Sequence, residues 1–465
     1  MTDVARATTD EPEGVDDLAG SLAGRLLRPE DDGYDAARQM WNAMFDRRPP
    51  LIAQCASIGD VTAALAFARS HDLPVTVRGA GHSFSGKSTS DEGIVIDLGP
   101  MKGVEVDPGA KVARVAPGAV GAELDQATQA HGLATTGGTY STTGVIGLTL
   151  GGGMGFLARR YGLAVDNMLS ADVVLADGRQ VHASESEHPD LFWALRGGGG
   201  NLGIVTSIEL RLHEVGREVA VAQVFYPWEV AGDIFRKYRD FVAEAPDEVG
   251  GYALAVNVPP IPEFPQEAHG STAVALVFSH CGPVEEGEAA LRPLTEFGTP
   301  LFSVLVPMEY ATLQQSFDAA VPAHQRYYGK TTYLSGIPDE AIATFVARAD
   351  PLPGPYSSAY FETMGGAIGR VDPQATAFPH RSAPFNLAIG PGWADPAADD
   401  ACMAWTRDFA EAMSPYSTGG IYANYADRDD VHRLRATYGP NLERLVEIKA
   451  RYDPDQVFSR LSSRD

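Results

Sequence analysis

The sequence is poor in cysteine and in basic residues. The first shortage argues against a disulfide-stabilised protein, and the second argues against a protein that binds nucleic acids or anionic membranes. Only three cysteines occur in 465 residues, which predicts no disulfide framework and a reducing, cytoplasmic location. Lysines and arginines number 36 against 61 aspartates and glutamates, so the formal net charge is -25. Nucleic acids and anionic membrane surfaces bind basic patches, and neither is therefore expected as a partner.

Long apolar runs are also missing. No run of 18 apolar residues is present to cross a membrane, and the N-terminus lacks the charged-then-apolar order of a signal peptide. Residues 1–25 are instead predicted to form a flexible acidic arm. Hydrophobic residues still make up 44% of the chain, enough for a globular protein with a buried core, and the length favours two domains.

Hydrophobic periodicity divides the chain into three regions and predicts an α+β fold. In residues 26–214 short strands alternate with helices and hairpins: strands at 50–56, 73–77, 93–98 and 204–210, helices at 60–70, 120–131 and 188–196, hairpins at 104–115 and 171–184. Residues 215–416 predict a separate domain, an antiparallel sheet with helices near 283–296 and 338–349. Residues 417–465 predict a strand over TGGIYANY and an amphipathic helix that ends before Pro454.

Two phosphate-binding motifs match in letters but not in context. Residues 81–88 (GHSFSGKS) fit the P-loop pattern, yet a strand follows where the phosphate-binding helix should begin. Residues 198–203 fit the dinucleotide pattern G-x-G-x-x-G, but a helix precedes them and a strand follows, the reverse of the Rossmann order. A nucleotide hydrolase that depends on Lys87 is therefore a minor alternative.

Three glycine-rich turns remain, at residues 78–86, 137–155 and 197–203. Glycine tolerates positive φ and lets backbone amides approach an oxyanion closely, so such turns can hold a pyrophosphate without many lysines. Each turn alone is better explained by a tight connection between strands. Together they predict a large ligand that carries phosphate.

Four segments, in this order, resemble the berberine bridge enzyme-like branch of the vanillyl-alcohol oxidase (PCMH-type) flavoproteins. They are VRGAGHSFSG (77–86), TTGGTYSTTGVIGLTLGGGMG (135–155), DLFWALRGGGGNLGIVT (190–206), and YANY with YGPNLERLVEIKARYDPDQVF (422–458). The resemblance implies an FAD-binding domain made of residues 26–214 and 417–465, and an antiparallel-sheet substrate domain made of residues 215–416. It also implies a covalent bond between His82 and the 8α-methyl group of FAD.

The resemblance further implies which residues surround the cofactor. Backbone amides of residues 78–83 would wrap the pyrophosphate, residues 203–205 would meet the adenine side, and Tyr422 and Asn424 would meet the isoalloxazine ring. The predicted set, which includes no metal ligand, is His82, Arg78, Gly79, Ala80, Gly81, Ser83, Gly86, Gly138, Thr139, Thr142, Gly144, Gly147, Gly152, Gly153, Gly203, Ile204, Val205, Tyr422 and Asn424. A neutral imidazole in a glycine turn is also, on its own terms, a suitable nucleophile for an electrophilic methyl group.

The sequence departs from the family at two places. Many members bind FAD a second time through a cysteine, and Tyr140 stands at that position; this predicts a single histidyl link, which resembles 6-hydroxy-D-nicotine oxidase and EncM-like members. Tyr140 then either reaches the flavin edge or the substrate, or fills the vacated space. Plant members carry Glu or Gln as the base near the position of Ile389, so the catalytic candidates predicted here are Tyr422, with Tyr140, Glu362 and Tyr360 after it.

The predicted activity is that of an FAD-dependent oxidase. A small organic alcohol or amine, aromatic or from secondary metabolism, would give a hydride to the flavin while a tyrosine takes its proton. Molecular oxygen would be the electron acceptor. An EncM-like flavin oxygenase acting on a polyketide-type substrate is the alternative, and a non-catalytic FAD-binding module is a third interpretation.

Overall fold

Short apolar segments of the first region pair into a mainly parallel sheet. The computed structural model describes residues 12–430 and 433–458. Helix Ile58–Ser70 packs on this sheet and begins at Ser57, whose side chain accepts the backbone hydrogen of Asp60. The first three residues of each central strand, LIA and IVI, are apolar and buried because both faces of the sheet are covered. In spatial order the strands are Arg25–Leu27, Leu51–Gln54, Ile94–Asp97 and Val75–Arg78.

A second, antiparallel sheet of the same region carries the C-terminal segment. Leu445 and Ile448 of the last helix enter the same core as Leu191 and Ile208, so the chain returns to its first domain after the middle one. The strands are, in spatial order, Val104–Asp107, Val112–Val115, Ile204–Arg211, Met168–Val174 and Gln180–Ser184, with a ribbon of Leu133–Ala134 and His213–Glu214 beside them. The helices of this core include Gly121–Gln129, Pro189–Leu195, Leu434–Tyr438 and Leu442–Tyr452.

The middle domain is a seven-stranded sheet with helices on one face. In spatial order its strands are Phe302–Glu309, Glu218–Pro227, Thr272–His280, Val249–Asn257, Ser358–Thr363, Phe385–Gly390 and Lys330–Leu334. The helices that share its core are Ala231–Glu244, Val284–Leu291, Asp339–Ala349 and Asp399–Met413. On the other face, Tyr252, Tyr360 and Ala388 pack toward Phe156 and Leu157 of the first domain. The helix-free face is therefore the one that meets the first domain.

Several short elements connect these layers. The short α-helices are Val15–Ser21, Tyr34–Arg38, Val145–Leu150, Ala158–Tyr161, Tyr310–Leu313 and Ala367–Arg370, and a small ribbon pairs Arg326–Tyr327 with Gly392–Trp393. The 3-10 turns are Ala164–Asp166, Trp228–Val230, Gln266–Ala268, Arg292–Thr295, Asp318–Ala320, Pro396–Ala398, Ser414–Tyr416, Ala423–Tyr425 and Gly439–Asn441. Within residues 12–430 and 433–458, no helix has the length and apolar character needed to cross a bilayer.

The predicted flexible arm is wrong over residues 12–25. Helix Val15–Ser21 forms there, and Val15 and Leu18 are buried in the core that contains helix Ile58–Ser70. These two apolar residues are three positions apart, so they fall on one face of a helix and can be buried together. Residues 1–11, the rest of the predicted arm, lie outside the described residues.

Two further predictions of local structure need correction. The segment TGGIYANY is not a strand: Ile421 donates its backbone hydrogen to Ala436 of a neighbouring helix, and Ala423–Tyr425 is a 3-10 turn. The glycine-rich stretch 137–155 is not a simple turn, because it contains helix Val145–Leu150, whose apolar residues are buried between flanking glycines. In both cases packing against a neighbouring element decided the local conformation.

Buried polar contacts join the two domains. Arg381 is 1% exposed, and its Nη1 and Nη2 donate to Asp166 at 2.7 and 2.8 Å. Asn42 of the first domain bonds both backbone groups of Tyr327, donating to its carbonyl at 2.8 Å and accepting from its amide at 3.0 Å. Asp318 accepts from the backbone and the hydroxyl of Ser141 at 2.9 and 2.5 Å. These contacts fix the middle sheet over the first domain.

Removing the buried arginine should destabilise the protein strongly. Arg381→Met leaves the Asp166 carboxylate without its partner in a buried place, so we expect the free energy of unfolding to fall by about 3–5 kcal/mol. The control Arg179→Met breaks an exposed pair with Asp177 and should cost less than about 1 kcal/mol. Urea unfolding followed by tryptophan fluorescence measures the free energy of unfolding of both variants. Equal losses in the two variants would contradict the role of the Arg381–Asp166 pair as a stabilising buried contact.

Candidate active site

A cavity of about 430 Å³ lies between the two domains. The three glycine-rich turns noted in the sequence all contribute to its wall, so the fold brings them together at one place. The first domain lines it with Gly79, Ala80, Gly81, His82, Ser83, Thr139, Gly144, Gly147, Gly203 and Val205, among others. The middle domain adds an aromatic and apolar end that includes Tyr327, Tyr356, Tyr360, Ala388 and Ile389.

The context of both phosphate motifs is as predicted. Strand Ile94–Asp97 is the next regular element after residues 81–88, with no helix between them. Helix Pro189–Leu195 precedes residues 198–203, and strand Ile204–Arg211 follows them. Neither segment has the strand–loop–helix order that a P-loop or a Rossmann motif requires.

His82 is held at the cavity wall by contacts on two sides. Its ring stacks on Trp41 with the centroids 4.8 Å apart and the planes 22° apart, and its Nε2 lies 2.9 Å from Thr142 Oγ1. Burial lowers the pKa of His82 to about 4. His82 is therefore neutral at physiological pH, and neutral imidazole has the nitrogen lone pair that nucleophilic attack requires.

Two glycines keep space free that the protein itself does not fill. Gly147 lies inside helix Val145–Leu150, where glycine is roughly 0.5–1 kcal/mol less favourable than alanine, yet a methyl group there would meet no atom within 4 Å. At Gly81, which has a φ of 72°, the nearest atom to such a methyl group lies 3.7 Å away. Both residues line the cavity. The space beside this bare backbone fits a cofactor with a pyrophosphate, whose oxygens need close backbone amides.

Tyrosines form the wall at the middle-domain end. Tyr140, Tyr360 and Tyr425 are among those that line the cavity. The hydroxyl groups of these three form a chain of hydrogen bonds, in which Tyr360 contacts Tyr140 on one side and Tyr425 on the other. Burial raises the pKa of Tyr140 to about 12 and raises the pKa values of the other two well above the ordinary value. These phenols therefore keep their protons at neutral pH and offer hydrogen bonds to a bound molecule.

Glu362 is the acid of this cluster. It is 3% exposed; its Oε2 accepts from Asn386 Nδ2 at 3.1 Å, whereas Oε1 has no partner at hydrogen-bond distance. Burial raises the pKa of Glu362 to about 7, and the Asn386 hydrogen bond opposes this shift. Tyr252 lies opposite Glu362 on the adjacent strand, with its hydroxyl near the carboxyl. The same hydroxyl is 3.0 Å from Thr139 Oγ1, and Thr139 lines the cavity.

About half of the predicted cofactor residues do not line this cavity. Besides the turn residues named above, Asn424 and the catalytic candidate Tyr140 belong to the wall. Arg78, Gly86, Gly138, Thr142, Gly152, Gly153, Ile204 and Tyr422 do not, and neither does Glu362. Thr142 nevertheless reaches the site through His82, and Glu362 reaches it through Tyr252 and Thr139.

The chain's own packing explains the absence of several of these residues from the wall. The Arg78 side chain is buried and donates to Asp97 at 2.7 Å, so the turn faces the cavity only from Gly79 onward. A methyl group at Gly86 would lie 2.4 Å from the ring of Phe45. Gly152 and Gly153 have φ values of 135° and 81°, and Ile204 belongs to the core of the parallel sheet. These residues shape or support the turns from behind the wall, and their assignment to the cofactor stays a prediction.

Tyr422 also supports the turn instead of facing the cavity. It is 1% exposed, and its hydroxyl accepts from the Gly153 backbone at 2.8 Å and from Asn424 Nδ2 at 2.9 Å. Burial raises the pKa of Tyr422 above the ordinary value. Tyr425, three residues later in the same YANY segment, does line the cavity. The assignment of Tyr422 as the base stays a prediction.

Sequence reasoning missed Trp41, Tyr425 and Lys330. All three line the cavity, but Trp41 and Lys330 lie far in sequence from the glycine turns, so no local spacing could place them there. Lys330 donates to Asp430 at 2.7 Å and to Asp427 at 3.3 Å, which leaves its charge balanced. For Tyr425 a signal existed, since it belongs to the YANY segment that carries part of the family resemblance.

Comparison with known sequences places the chain among flavoproteins. Residues 49–184 match a family model described as an FAD binding domain, and residues 421–463 match one described as berberine and berberine like. YgaK, an FAD-linked oxidoreductase of Bacillus subtilis, is 30% identical over 94% of this chain and 96% of its own length. (R)-6-hydroxynicotine oxidase of Paenarthrobacter nicotinovorans is 29% identical over 94% of this chain and 96% of its own length.

Solved structures show the same two-domain architecture. 6-Hydroxy-D-nicotine oxidase from Arthrobacter nicotinovorans matches with a TM-score of 0.84 at 26% identity, covering 95% of this chain and 98% of its own. BBE-like 1 of Physcomitrella patens matches with a TM-score of 0.86 at 24% identity, covering 97% of this chain and 98% of its own. The predicted fold, an FAD-binding domain with an antiparallel-sheet domain over it, is therefore confirmed.

The buried acid should leave a trace in the pH dependence of stability. Glu362 holds its proton up to about pH 7 when folded, against 4.5 as its ordinary value, so the unfolded chain loses a proton that the folded chain keeps. The free energy of unfolding therefore falls as pH rises between these values. Because Glu362→Gln lacks this titration, its stability relative to wild type should rise by about 3 kcal/mol over that range. Urea unfolding at several pH values measures this.

A matched control isolates the effect of burial. Glu285 is exposed on helix Val284–Leu291, and Glu285→Gln reports the general effect of exchanging a carboxyl for an amide. For each variant the quantity compared is its free energy of unfolding minus that of wild type. If this difference were as independent of pH for Glu362→Gln as for Glu285→Gln, Glu362 would be ionised in the folded protein.

Proposed function

The chain belongs to the FAD-linked oxidoreductases of the berberine bridge enzyme-like family, and we propose that it is an oxidase with FAD bound covalently to His82. The proposed substrate is a small organic alcohol or amine, aromatic or from secondary metabolism, which loses a hydride and a proton. Molecular oxygen accepts the two electrons and leaves as hydrogen peroxide. The observation that carries the proposal is a neutral histidine in the wall of a cavity where three glycine-rich turns meet.

The residues of the first domain suit FAD at this place. FAD, when bound, supplies the two-electron chemistry that amino-acid side chains lack. The turn from Gly79 to Ser83 offers backbone amides for the pyrophosphate, and Gly203 and Val205 offer a flat wall for the adenine side. His82 provides the nucleophile for the covalent bond, because its lowered pKa keeps the imidazole neutral.

A single covalent bond is favoured over two. Tyr140 occupies the cavity wall at the position where other members carry cysteine. The three cysteines of the chain, Cys55, Cys281 and Cys402, are unpaired and buried away from the cavity. The same unpaired cysteines support the proposed cytoplasmic location, since oxidising compartments favour disulfides.

The proton of the substrate has a route to Glu362. The tyrosines of the wall keep their protons at neutral pH, so they cannot act as permanent bases without a cationic neighbour. Glu362, with a pKa of about 7, can accept a proton near neutral pH. Thr139 and Tyr252 connect its carboxyl to the cavity through hydroxyl groups. We propose that Thr139 and Tyr252 pass the proton inward while the wall tyrosines orient the substrate.

The lining favours an aromatic and uncharged substrate. The middle-domain end is built from tyrosine rings together with Ala388, Ile389 and Pro391. Its lysine, Lys330, is paired with Asp427 and Asp430, so it offers no free charge. Because 6-hydroxynicotine oxidase is similar over almost the whole chain, 6-hydroxynicotine is the first compound to try, followed by phenolic and benzylic alcohols.

Acid precipitation tests the covalent bond directly. We expect the flavin absorbance of the purified protein to stay with the acid precipitate. In His82→Ala the absorbance should move to the supernatant, because the imidazole that forms the proposed bond is gone. A yellow supernatant from the wild-type protein would contradict covalent attachment, and a colourless wild-type protein would contradict FAD binding itself.

A set of three variants tests the proton route. With whichever of the compounds named above the enzyme oxidises, Glu362→Gln should lower the rate of flavin reduction by at least about tenfold and abolish the dependence of that rate on a group that titrates near pH 7. Tyr425→Phe should lower the rate of flavin reduction less than Glu362→Gln does. Tyr422→Phe should change this rate mainly because Gly153 loses its hydrogen bond to the Tyr422 hydroxyl. If only Tyr422→Phe slowed reduction, Tyr422 would be the base. Stopped-flow absorbance without oxygen measures the rate.

A separate experiment with ¹⁸O-labelled dioxygen distinguishes an oxidase from an oxygenase. Label in the product indicates an oxygenase, and label in hydrogen peroxide alone indicates an oxidase.

A further inference from the structure

The two rings that neighbour each other at the cavity wall, His82 and Trp41, belong to a longer stack. Trp41 stacks on His82 at 4.8 Å on one side and on Tyr327 at 4.2 Å on the other, with only 9° between the planes of the second pair. Tyr327 belongs to the middle domain, and its hydroxyl donates to Pro322 at 2.7 Å. The middle domain therefore supports the imidazole of His82 through the indole of Trp41.

The position of Trp41 is fixed by its backbone and by its neighbour. His324 donates its backbone hydrogen to the Trp41 carbonyl at 2.8 Å, and Trp41 donates its own to Gly81 at 3.2 Å. Asn42 is fully buried and holds both backbone groups of Tyr327. The ring of Trp41 thus has little freedom, and the ring plane of His82 is constrained with it.

Thr142 fixes the rotation of the imidazole within that plane. Its Oγ1 lies 2.9 Å from Nε2 of His82, whereas Nδ1 has no hydrogen bond within the described parts of the chain. Thr142 therefore occupies Nε2 and leaves Nδ1 as the ring nitrogen that is free toward the cavity. With the proton on Nε2, the Thr142 oxygen accepts it. This tautomer leaves the lone pair of His82 on Nδ1.

We propose that Thr142 and Trp41 are positioning residues for flavin attachment, which present Nδ1 of His82 to the 8α-carbon of FAD. This rests on the proposed covalent bond to His82. Nδ1 forms the new C–N bond as the 8α-methyl group loses one hydrogen and Nε2 loses its proton. The two hydrogens and two electrons reduce the flavin ring, and molecular oxygen then reoxidises it to give hydrogen peroxide. Thr142 accepts the hydrogen bond from Nε2 before the step, and once Nε2 has lost its proton the Thr142 hydroxyl can donate to it, so the same contact holds the ring before and after attachment.

The position of Trp41 adds a consequence for assembly. Because the stack ends on Tyr327 of the middle domain, His82 is oriented only when the two domains are docked. Non-covalent FAD binding needs the glycine turns of the first domain, whereas attachment also needs the middle domain. Binding and attachment should therefore separate in variants of the stack.

The test follows covalent attachment instead of turnover. Full-length Thr142→Val, Thr142→Ser and Trp41→Ala are purified, incubated with FAD in air, and sampled over time for acid-stable flavin and for the added mass of one FAD. We expect Thr142→Val and Trp41→Ala to bind FAD but to attach it at least about tenfold more slowly. For Thr142→Val this corresponds to the loss of one hydrogen bond of about 1.4 kcal/mol, and for Trp41→Ala it follows from the loss of the ring on which His82 stacks. Thr142→Ser, which keeps the hydroxyl, should attach at nearly the wild-type rate.

Controls separate this inference from its premise. Thr62→Val on an exposed helix turn and Trp228→Ala on the helix-covered side of the middle sheet make the same exchanges away from the cavity, and both variants should attach FAD at the wild-type rate. Wild-type rates in Thr142→Val and Trp41→Ala would overturn this inference alone. A wild-type protein without acid-stable flavin would overturn the covalent bond and the inference together.

A second measurement does not depend on any variant folding. The flavin-bearing peptide released by proteolysis of wild-type protein labelled with ¹⁵N-histidine shows by NMR which imidazole nitrogen carries the bond. We expect Nδ1. A bond at Nε2 would mean that the Thr142 contact is broken during attachment, and it would overturn the proposed orientation.

Discussion

The docking of the middle sheet onto the FAD-binding domain is the interaction on which the site depends. The sheet has helices on one face only, and its bare face meets the first domain through buried polar contacts at Arg381, Asn42 and Asp318. Such contacts are directional, so they fix one relative position of the domains. Glycines then prevent the interface from closing, since their missing side chains leave space along the backbone. The cavity is what remains between a fixed sheet and a bare backbone.

Enclosure by this docking also determines the charges of the site. Taking ionisable groups out of water favours their neutral forms, and His82, Tyr140 and Glu362 all shift in that direction. The result is a wall with a neutral imidazole and neutral hydrogen-bond donors, and behind it one acid, Glu362, that titrates near pH 7. An enclosed neutral wall suits transfer of a hydride, because water and stray charges are kept away from the reacting atoms. The same burial that stabilises the fold therefore also sets the protonation states of these three side chains.

Local sequence patterns predicted most strands and helices because these depend on residues close in the chain. The apolar strands Leu51–Gln54 and Ile94–Asp97, helix Ile58–Ser70 and the last helix Leu442–Tyr452 lie where periodicity placed them. The failures, at helix Val15–Ser21, within the glycine run and at TGGIYANY, occur where a distant element supplies the packing partner. Propensity alone is a weak guide at such places, since burial against a neighbour overrides it.

By itself the sequence determined the family and selected His82 and the three glycine-rich turns that line the cavity, because motifs of closely spaced residues are local features. It could not place Trp41, Lys330 or Tyr425 in the wall, nor show that Tyr422 supports Gly153 from behind the cavity. It also could not give Glu362 a raised pKa or Thr142 its contact with His82. Those properties depend on burial and on distances between residues far apart in the chain, and only tertiary packing sets them.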